Sequence, residues 1–233
     1  KLHKVNSDLR QSPAWSNYLK TLGWKTHKIS ENAQIFYKKL GFLGTICKLQ
    51  RPKNLNSISL EKINNFCTKN KSLFIKIEPS INQNLTTLKK TGYKPSKFPL
   101  LPPSTALIEL KMPLEQLKNS LSSNARYSIR KAKKDGIEIE FFQSPSKNQI
   151  KQLFDVIGKP SVKKLDSLVR NFGDRSYIAL AKNKNGKYTA GNFYVGYKNT
   201  IWYLFGGINK LGRKNTSGYK LMWHSIKEFK KQK

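Results

Sequence analysis

The stretch that decides the fold lies past the middle of the chain and reads Ser123-Asn-Ala-Arg-Tyr-Ser-Ile-Arg-Lys-Ala-Lys-Lys-Asp-Gly136, followed by Ile137-Glu-Ile-Glu-Phe141. The first part predicts a basic helix that ends at a glycine, and the second predicts a strand because its apolar side chains alternate. Arg126 and Arg130 are four residues apart and therefore share one helix face. The opposite face is apolar and is lined by Ala125, Ile129 and Ala132. We expect the apolar side to pack and the basic side to bind anions.

Further elements are predicted on both sides of this stretch. Before it, we expect a strand at Thr105 to Leu110 and a short helix at Leu114 to Leu117. After it, apolar periodicity predicts two helices and three strands, followed by a last helix from about Gly218. The two helices are placed around Ile150 to Ile157 and Val162 to Phe172, and the strands at Ser176 to Ala181, Tyr188 to Tyr197 and Thr200 to Phe205.

The first hundred residues predict a separate α/β unit. Ser12-Pro13 has the pattern of a helix cap followed by proline in the first turn. A meander, a helix, a strand and a short helix should follow, at Thr26 to Ile29, Ala33 to Leu40, Leu43 to Leu49, Ile58 to Cys67, Ser72 to Glu78 and Leu85 to Leu88. Prolines interrupt the segment Tyr93 to Pro103, which suits a linker. We therefore predict two domains, 1–98 and 99–233.

The composition is strongly basic. The chain has 233 residues, a formal net charge of +32 and a pI near 10.2, which predicts attraction to nucleic acid, anionic lipid or a pyrophosphate-bearing substrate. Of its 45 basic residues, 7 are Arg and 38 are Lys. A lysine-rich composition bias with a solvated surface explains such a count equally well, so the arginines carry more information about phosphate binding.

The sequence offers no pattern typical of a metal site or a nucleophile. Cys47 and Cys67 are isolated thiols without CxxC spacing, and the three histidines are scattered. We therefore expect neither a zinc site nor a Cys-His nucleophile. No apolar run approaches the roughly 20 residues that a membrane-spanning helix needs.

Four motifs, in order, resemble those of the Fem-type peptidoglycan bridge-forming aminoacyltransferases and their acetyltransferase-like relatives. They are Gln11-Ser-Pro-Ala-Trp15 with Lys20 and Trp24, the basic helix described above, Trp202-Tyr-Leu-Phe-Gly-Gly207, and Tyr219-Lys-Leu-Met-Trp-His-Ser-Ile226. The resemblance implies an α/β fold of two acetyltransferase-like (GNAT) domains with mixed, largely antiparallel sheets. It also leads us to expect that the second domain is incomplete at its C-terminal end.

The resemblance implies transfer of an amino acid from aminoacyl-tRNA to the stem peptide of a lipid-linked or nucleotide-linked muropeptide, without a further cofactor. It implies a cytoplasmic monomer in peripheral contact with the anionic inner face of the plasma membrane. By the same likeness, Lys20, Arg126 and Arg130 would contact phosphates. Tyr203 and Tyr219 are equally well explained as substrate contacts or as packed aromatic residues. No general base is assigned, and the carboxylates considered are Asp155, Asp166, Asp174 and Glu228.

Two other functions stay open from the sequence. One is an acyl-CoA-dependent N-acyltransferase of the same fold, which is disfavoured because the loop Leu211 to Gly218 lacks the glycine spacing of a pyrophosphate loop. The other is a non-catalytic module that binds RNA or an anionic surface, which the net charge alone would explain.

Overall fold

The computed structural model describes residues 8–31, 33–53, 55–81, 83–102 and 104–232. The chain divides into two compact units, Lys1–Ala106 and Leu107–Lys233. The assignment of two acetyltransferase-like domains at 1–98 and 99–233 stays a prediction, because a division into compact units does not show which type of domain each unit is. None of the described helices combines the length and the apolar character needed to cross a membrane.

The first unit is a four-stranded mixed sheet with three helices. Its elements in chain order are α1 (Pro13–Thr21), β1 (Lys25–Ser30), β2 (Ala33–Lys39), β3 (Thr45–Gln50), α2 (Ser57–Lys69), β4 (Ser72–Glu78) and α3 (Leu85–Lys90). The strand order is β1-β2-β3-β4, with β1 to β3 antiparallel and β4 parallel to β3. The α2 crossover makes the parallel pairing possible, because parallel neighbours cannot be joined by a hairpin.

Alternation along β3 gives the first sheet two different faces. Cys47 and Leu49 are buried in an apolar core with Leu60 and Ile63 of α2. Lys48 and the residues two positions away in β3 must therefore point to the opposite face. The predicted start of α1 is confirmed, since the Ser12 side chain accepts a hydrogen bond from the Trp15 backbone N–H at 3.1 Å.

The second unit is an antiparallel sheet between two pairs of helices. Its elements are α4 (Leu114–Asn119), α5 (Ser123–Lys134), β5 (Glu138–Gln143), α6 (Lys147–Ile157), α7 (Val162–Phe172), β6 (Ser176–Lys182), β7 (Tyr188–Tyr197), β8 (Thr200–Ile208), α8 (Lys210–Lys214) and α9 (Ser217–Lys231). The strand order is β5-β6-β7-β8. One face packs against α9, which in turn contacts α5, and the other face packs against α6 and α7.

Glycines allow α6 to approach β7 and β8 closely. A Cβ on Gly191 would lie 2.5 Å from Leu153 Cδ1, and one on Gly207 would lie 3.1 Å from the Ile157 Cα. A side chain at either position would force Leu153 or Ile157 to shift, so glycine favours this close packing. The predicted turn between β6 and β7 is confirmed, with the Gly186 N–H donating to the Asn183 carbonyl at 2.9 Å.

The predicted strand at Thr105 to Leu110 is wrong. The described residues of this segment, 104–109, are irregular backbone, and Leu107 and Ile108 are exposed. The segment has strand-like composition, but a strand forms only where a ladder partner accepts it. At its end, Lys230 Nζ donates to the carbonyls of Leu110 at 2.9 Å and Met112 at 2.7 Å, so a side chain satisfies these groups instead.

The predicted fold class is confirmed in its coarse form, since the chain is mixed α/β with two four-stranded sheets that are mostly antiparallel. The sequence missed the five-residue helix α8. Their large apolar rings predict a core position for Trp202 and Phe205, but both are only half-buried on the edge strand β8. The assignment of both units to the acetyltransferase class stays a proposal.

Candidate functional site

The basic helix α5 presents one packed face and one charged face, as predicted. Ser122 caps it by accepting from the Ala125 N–H at 3.2 Å, and Ser128 and Ala132 are buried. Thr216 at the start of α9 donates from its hydroxyl to the Ser128 carbonyl at 2.8 Å, which fixes the two helices against each other. On the outer side, Arg130 is exposed.

A concavity of about 370 Å³ lies along this outer face of α5. Its lining is strongly cationic and consists of Tyr127, Arg130, Lys131, Lys134 and Asp135. The single carboxylate is already neutralised, because Lys131 Nζ donates to Asp135 Oδ2 at 2.6 Å. Arg130 and Lys134 therefore leave the surface with net positive charge, next to the exposed ring of Tyr127. We call this surface the α5 concavity.

Arg126 makes contacts within the protein that the sequence did not reveal. Its Nη1 donates to the carbonyl of Leu121 at 2.7 Å and to that of Asn119 at 3.1 Å. These carbonyls lie at the end of α4, where backbone oxygens lack helical partners. Arg126 thus stabilises the turn between α4 and α5, and its predicted contact with phosphate stays a prediction.

Tyr203 lies on β8 in a small polar cluster with Tyr194 and Asn192 of β7. The rings of Tyr194 and Tyr203 are 5.5 Å apart, and Asn192 Nδ2 donates to the Tyr194 hydroxyl at 2.8 Å. The Tyr203 hydroxyl lies directly over Gly206, at a place that a Cβ would occupy. This explains the aromatic-glycine motif, because the glycine leaves room for the ring.

Both hydroxyls of this cluster are held in the protonated form. Burial raises the pKa of Tyr194 to about 12, and burial also raises the pKa of Tyr203. Tyr203 is 51% exposed, so its hydroxyl is within reach of a ligand. The cluster can therefore donate a hydrogen bond at neutral pH but does not supply a base.

Tyr219 lies in the first turn of α9 and is 44% exposed. Helical spacing in the sequence predicts a packing stripe of Tyr219, Met222, Ile226 and Phe229, and the structure buries only Ile226 and Phe229 of these four, together with Leu221. Because α9 contacts α5, the structure places Tyr219 on the helix that supports the basic one. Substrate contact by Tyr219 stays a prediction.

Lys20 lies in the first unit, whereas the other four predicted site residues lie in the second. It is exposed on α1, and its Nζ donates to Asn17 Oδ1 at 3.4 Å. This weak contact leaves the side chain near the helix surface. Its predicted contact with phosphate stays a prediction.

A second polar surface, which the sequence did not reveal, lies on the first sheet. Lys48 Nζ is 4.2 Å from the ring centroid of Trp24, and burial lowers the pKa of Lys48 to about 8 despite the attraction of Glu78. Gln50 and Glu78 are register partners on this face. Among the described residues, neither Gln50 Oε1 nor Glu78 Oε2 has a hydrogen-bond partner, although both are buried. Buried acceptors without a partner are uncommon in folded proteins.

Glu78 is also fixed by the backbone that follows the sheet. Its Oε1 accepts from the N–H groups of Leu100 at 2.5 Å and Leu101 at 2.7 Å. The other carboxylate oxygen, Oε2, takes no part in these two hydrogen bonds. Lys48, Gln50 and Glu78 come together only because distant segments of the chain pair. The sequence signal for this cluster is the presence of Lys48 and Gln50 at alternate positions of the otherwise mostly apolar strand β3.

The carboxylates considered as bases are placed mainly in ion pairs or on the surface. Asp166 pairs with Arg170 at 2.9 Å, and Asp155 and Asp174 are exposed. Lys231, at 2.8 Å, lowers the pKa of Glu228. A carboxylate with a lowered pKa is a weak base, which argues against Glu228 in that role.

The two cysteines lie close together in the structure. Cys47 and Cys67 are not isolated as the sequence suggests, because both belong to the core between β3 and α2. A hydrogen bond from Cys67 lowers the pKa of Cys47 to about 7. Within the part of the chain that the structure describes, His, Cys, Asp and Glu side chains form no group of three that could hold a metal ion.

Solved structures share this fold. A crystal structure of FemX matches with a TM-score of 0.74 and 15% identity, covering 97% of this chain and 81% of that one. L-PGS from Bacillus licheniformis matches at 0.62 with 13% identity, covering 96% and 74%. The C-terminal domain (DUF2156) of a protein named as a lysylphosphatidylglycerol synthetase, from Agrobacterium fabrum, matches at 0.60 with 16% identity, covering 96% and 72%.

No family model and no curated protein matches the sequence. At these identities the likeness establishes the fold alone. The chain therefore has a Fem-like fold, as the sequence motifs indicated.

Proposed function

We propose that the protein is an aminoacyltransferase that moves an amino acid from aminoacyl-tRNA to an amine on the stem peptide of a peptidoglycan precursor. The observation that carries the proposal is the α5 concavity, a cationic surface of about 370 Å³ on a Fem-like fold. Arg130 supplies a planar donor fork suited to phosphate, and Lys134 adds a second cation. The exposed Tyr127 ring offers a surface on which a base can stack.

The reaction requires no covalent enzyme intermediate. The aminoacyl ester is already activated, so the protein has to orient the acceptor amine, allow its deprotonation and stabilise the tetrahedral oxyanion. In this proposal the protonated Tyr203 hydroxyl is a candidate donor to that oxyanion. The described carboxylates give no clear base, and proton removal by the substrate or by water fits the structure.

The first unit is proposed to bind the acceptor. Lys20 and Lys48 would contact its phosphates, as the family resemblance suggests for Lys20. We propose that both units are acetyltransferase-like domains and that the protein acts as a cytoplasmic monomer.

The structure gives no support to an acyl-CoA donor. In the loop before α9, the N–H groups of Gly212, Arg213 and Asn215 donate to acceptors in the loop itself or in the adjacent Asn209. The N–H groups of Thr216, Ser217 and Tyr219 are also satisfied locally. A pyrophosphate cradle needs such groups to point at the ligand.

The test is a transfer assay with a mixed pool of radiolabelled aminoacyl-tRNA and a lipid-linked muropeptide. We expect label to move to the muropeptide with wild type and Arg170→Gln, and to move at least about tenfold more slowly with Arg130→Gln. Consumption of acetyl-CoA while the label stays on tRNA would instead identify an acyl-CoA enzyme. Salt-dependent tRNA binding without any transfer would identify a binding module.

A further inference from the structure

An apolar side chain stands almost fully in solvent at one end of the first sheet. Phe42 is 98% exposed and Leu43 is 57% exposed, in the 3-10 turn Gly41–Leu43 that joins β2 to β3. Phenylalanine is among the residue types most often buried in folded proteins, so a fully exposed ring is uncommon. Such a ring marks a surface for a partner where further exposed apolar side chains lie beside it.

The neighbouring turn adds apolar surface at the same place. Thr45 donates its N–H to the Lys71 carbonyl at 3.2 Å, which joins the β2–β3 turn to the turn before β4. A Cβ on Gly44 would lie 3.5 Å from Leu73 Cγ. Leu73 is 58% exposed. Phe42, Leu43 and Leu73 are therefore exposed apolar side chains at the same end of the first sheet, and we call these three residues the apolar tip.

The apolar tip is held in shape by its own backbone. Leu40 donates its N–H to the Gly44 carbonyl at 2.8 Å, and Leu43 donates to the Leu40 carbonyl at 3.2 Å. Gly41 and Gly44 have φ angles of 60° and 114°, which side-chain-bearing residues rarely adopt. The side chains are thus presented without a further loss of backbone freedom on binding.

Positive charge surrounds the apolar tip. Lys38 and Lys39 precede it on β2, and Lys69 and Lys71 lie at the end of α2, all exposed. The sequence contains no Asp or Glu from position 32 to 60 or from 62 to 77. An apolar group with lysines on the adjoining segments is complementary to a lipid surface with anionic headgroups over an acyl region.

We propose that the apolar tip inserts into the headgroup region of an anionic bilayer while Lys38, Lys39, Lys69 and Lys71 contact the lipid phosphates. This docking goes beyond the transfer reaction and does not depend on it. A second copy of the chain is disfavoured as the partner, because two such lysine clusters would repel each other and the net charge of each chain is +32.

The test is co-sedimentation with vesicles of phosphatidylglycerol and phosphatidylcholine. Phe42→Ser should weaken partitioning about tenfold, because burial of the ring is lost. Ile58→Ser is the matched control, since Ile58 is 63% exposed at the far end of α2; it should leave partitioning unchanged. Equal partitioning of the two variants would overturn the proposal.

The electrostatic half is tested separately. Each lysine near the lipid surface should contribute about fivefold to binding, so the double variant Lys39→Glu and Lys71→Glu should weaken binding by at least about tenfold. The control double variant Lys53→Glu and Lys62→Glu should weaken binding far less. A Phe42→Trp variant should show a blue shift of its emission on these vesicles, read as a difference from wild type. No shift, or a dimer in sedimentation velocity that Phe42→Ser dissociates, would contradict membrane docking.

Discussion

The guanidinium of Arg126 lies 2.7 Å from the carbonyl oxygen of Leu121, and this contact ties α5 to the turn that precedes it. The same Nη1 reaches Asn119 at 3.1 Å. One of the two arginines on the basic helix therefore has a structural role, whereas Arg130 faces the α5 concavity. The two positions can be separated by experiment.

Arg126→Ala should destabilise the second unit. The loss of a charged donor to two carbonyls should lower the free energy of unfolding by about 1–2 kcal/mol. Urea denaturation measures this, with Arg170→Ala as the control, because Arg170 is exposed and pairs only at the surface with Asp166. If Arg126→Ala were as stable as the control, the hydrogen bonds at the α4 end would not matter for stability.

Lys48→Met should make the protein more stable and less active. The lysine is half-buried, so its charge is desolvated at neutral pH, and its replacement by an apolar side chain should raise the free energy of unfolding by about 1 kcal/mol. Loss of transfer activity alongside this gain would support a binding role. Lys62→Met, at an exposed position of α2, should change neither quantity.

The stability gained by Lys48→Met should shrink at alkaline pH. The pKa of Lys48 is about 8 in the folded protein and that of an unfolded lysine is about 10.4, so the unfolded state binds more protons between these values. Wild-type stability therefore rises with pH across that window, relative to the variant, which lacks the group. Urea denaturation at pH 7 and pH 9.5 measures the difference. A constant difference would show that the lysine titrates normally.

Gly206→Ala should displace Tyr203. The new methyl would collide with the Tyr203 hydroxyl and would lie 2.5 Å from Asn192 Oδ1, at a cost of about 1–3 kcal/mol in the free energy of unfolding. Adding Tyr203→Ala should recover part of this loss, which a double-mutant cycle measures. Gly218→Ala is the control, because its methyl would meet Ile208 Cδ1 at an acceptable 3.4 Å. Additive losses would show that the ring does not occupy this space.

Much of the fold follows from local signals in the sequence. The Ser12-Pro13 cap and the glycine after α5 each specify the end of a helix without help from distant residues. The segment at Thr105 to Leu110 shows the limit of such reasoning, because a strand-like composition becomes a strand only if a neighbour pairs with it.

The candidate sites were less accessible to prediction. The faces of α5 follow from helical periodicity, so Arg130 was placed correctly on the outer side. The carbonyl partners of Arg126 depend on how the α4–α5 turn closes, which periodicity does not encode. The cluster of Lys48, Gln50 and Glu78 depends on the parallel register of β3 and β4, and that register is set by packing of α2.

The central claim, that the α5 concavity binds the phosphates of charged tRNA, is tested most directly by the salt dependence of tRNA affinity. Each phosphate contact contributes about 0.7–0.9 to the slope of log affinity against log salt concentration. We predict that Arg130→Gln lowers the magnitude of this slope by about that amount and weakens binding, while Arg170→Gln changes neither. Identical slopes and affinities for wild type, Arg130→Gln and Arg170→Gln would contradict the claim.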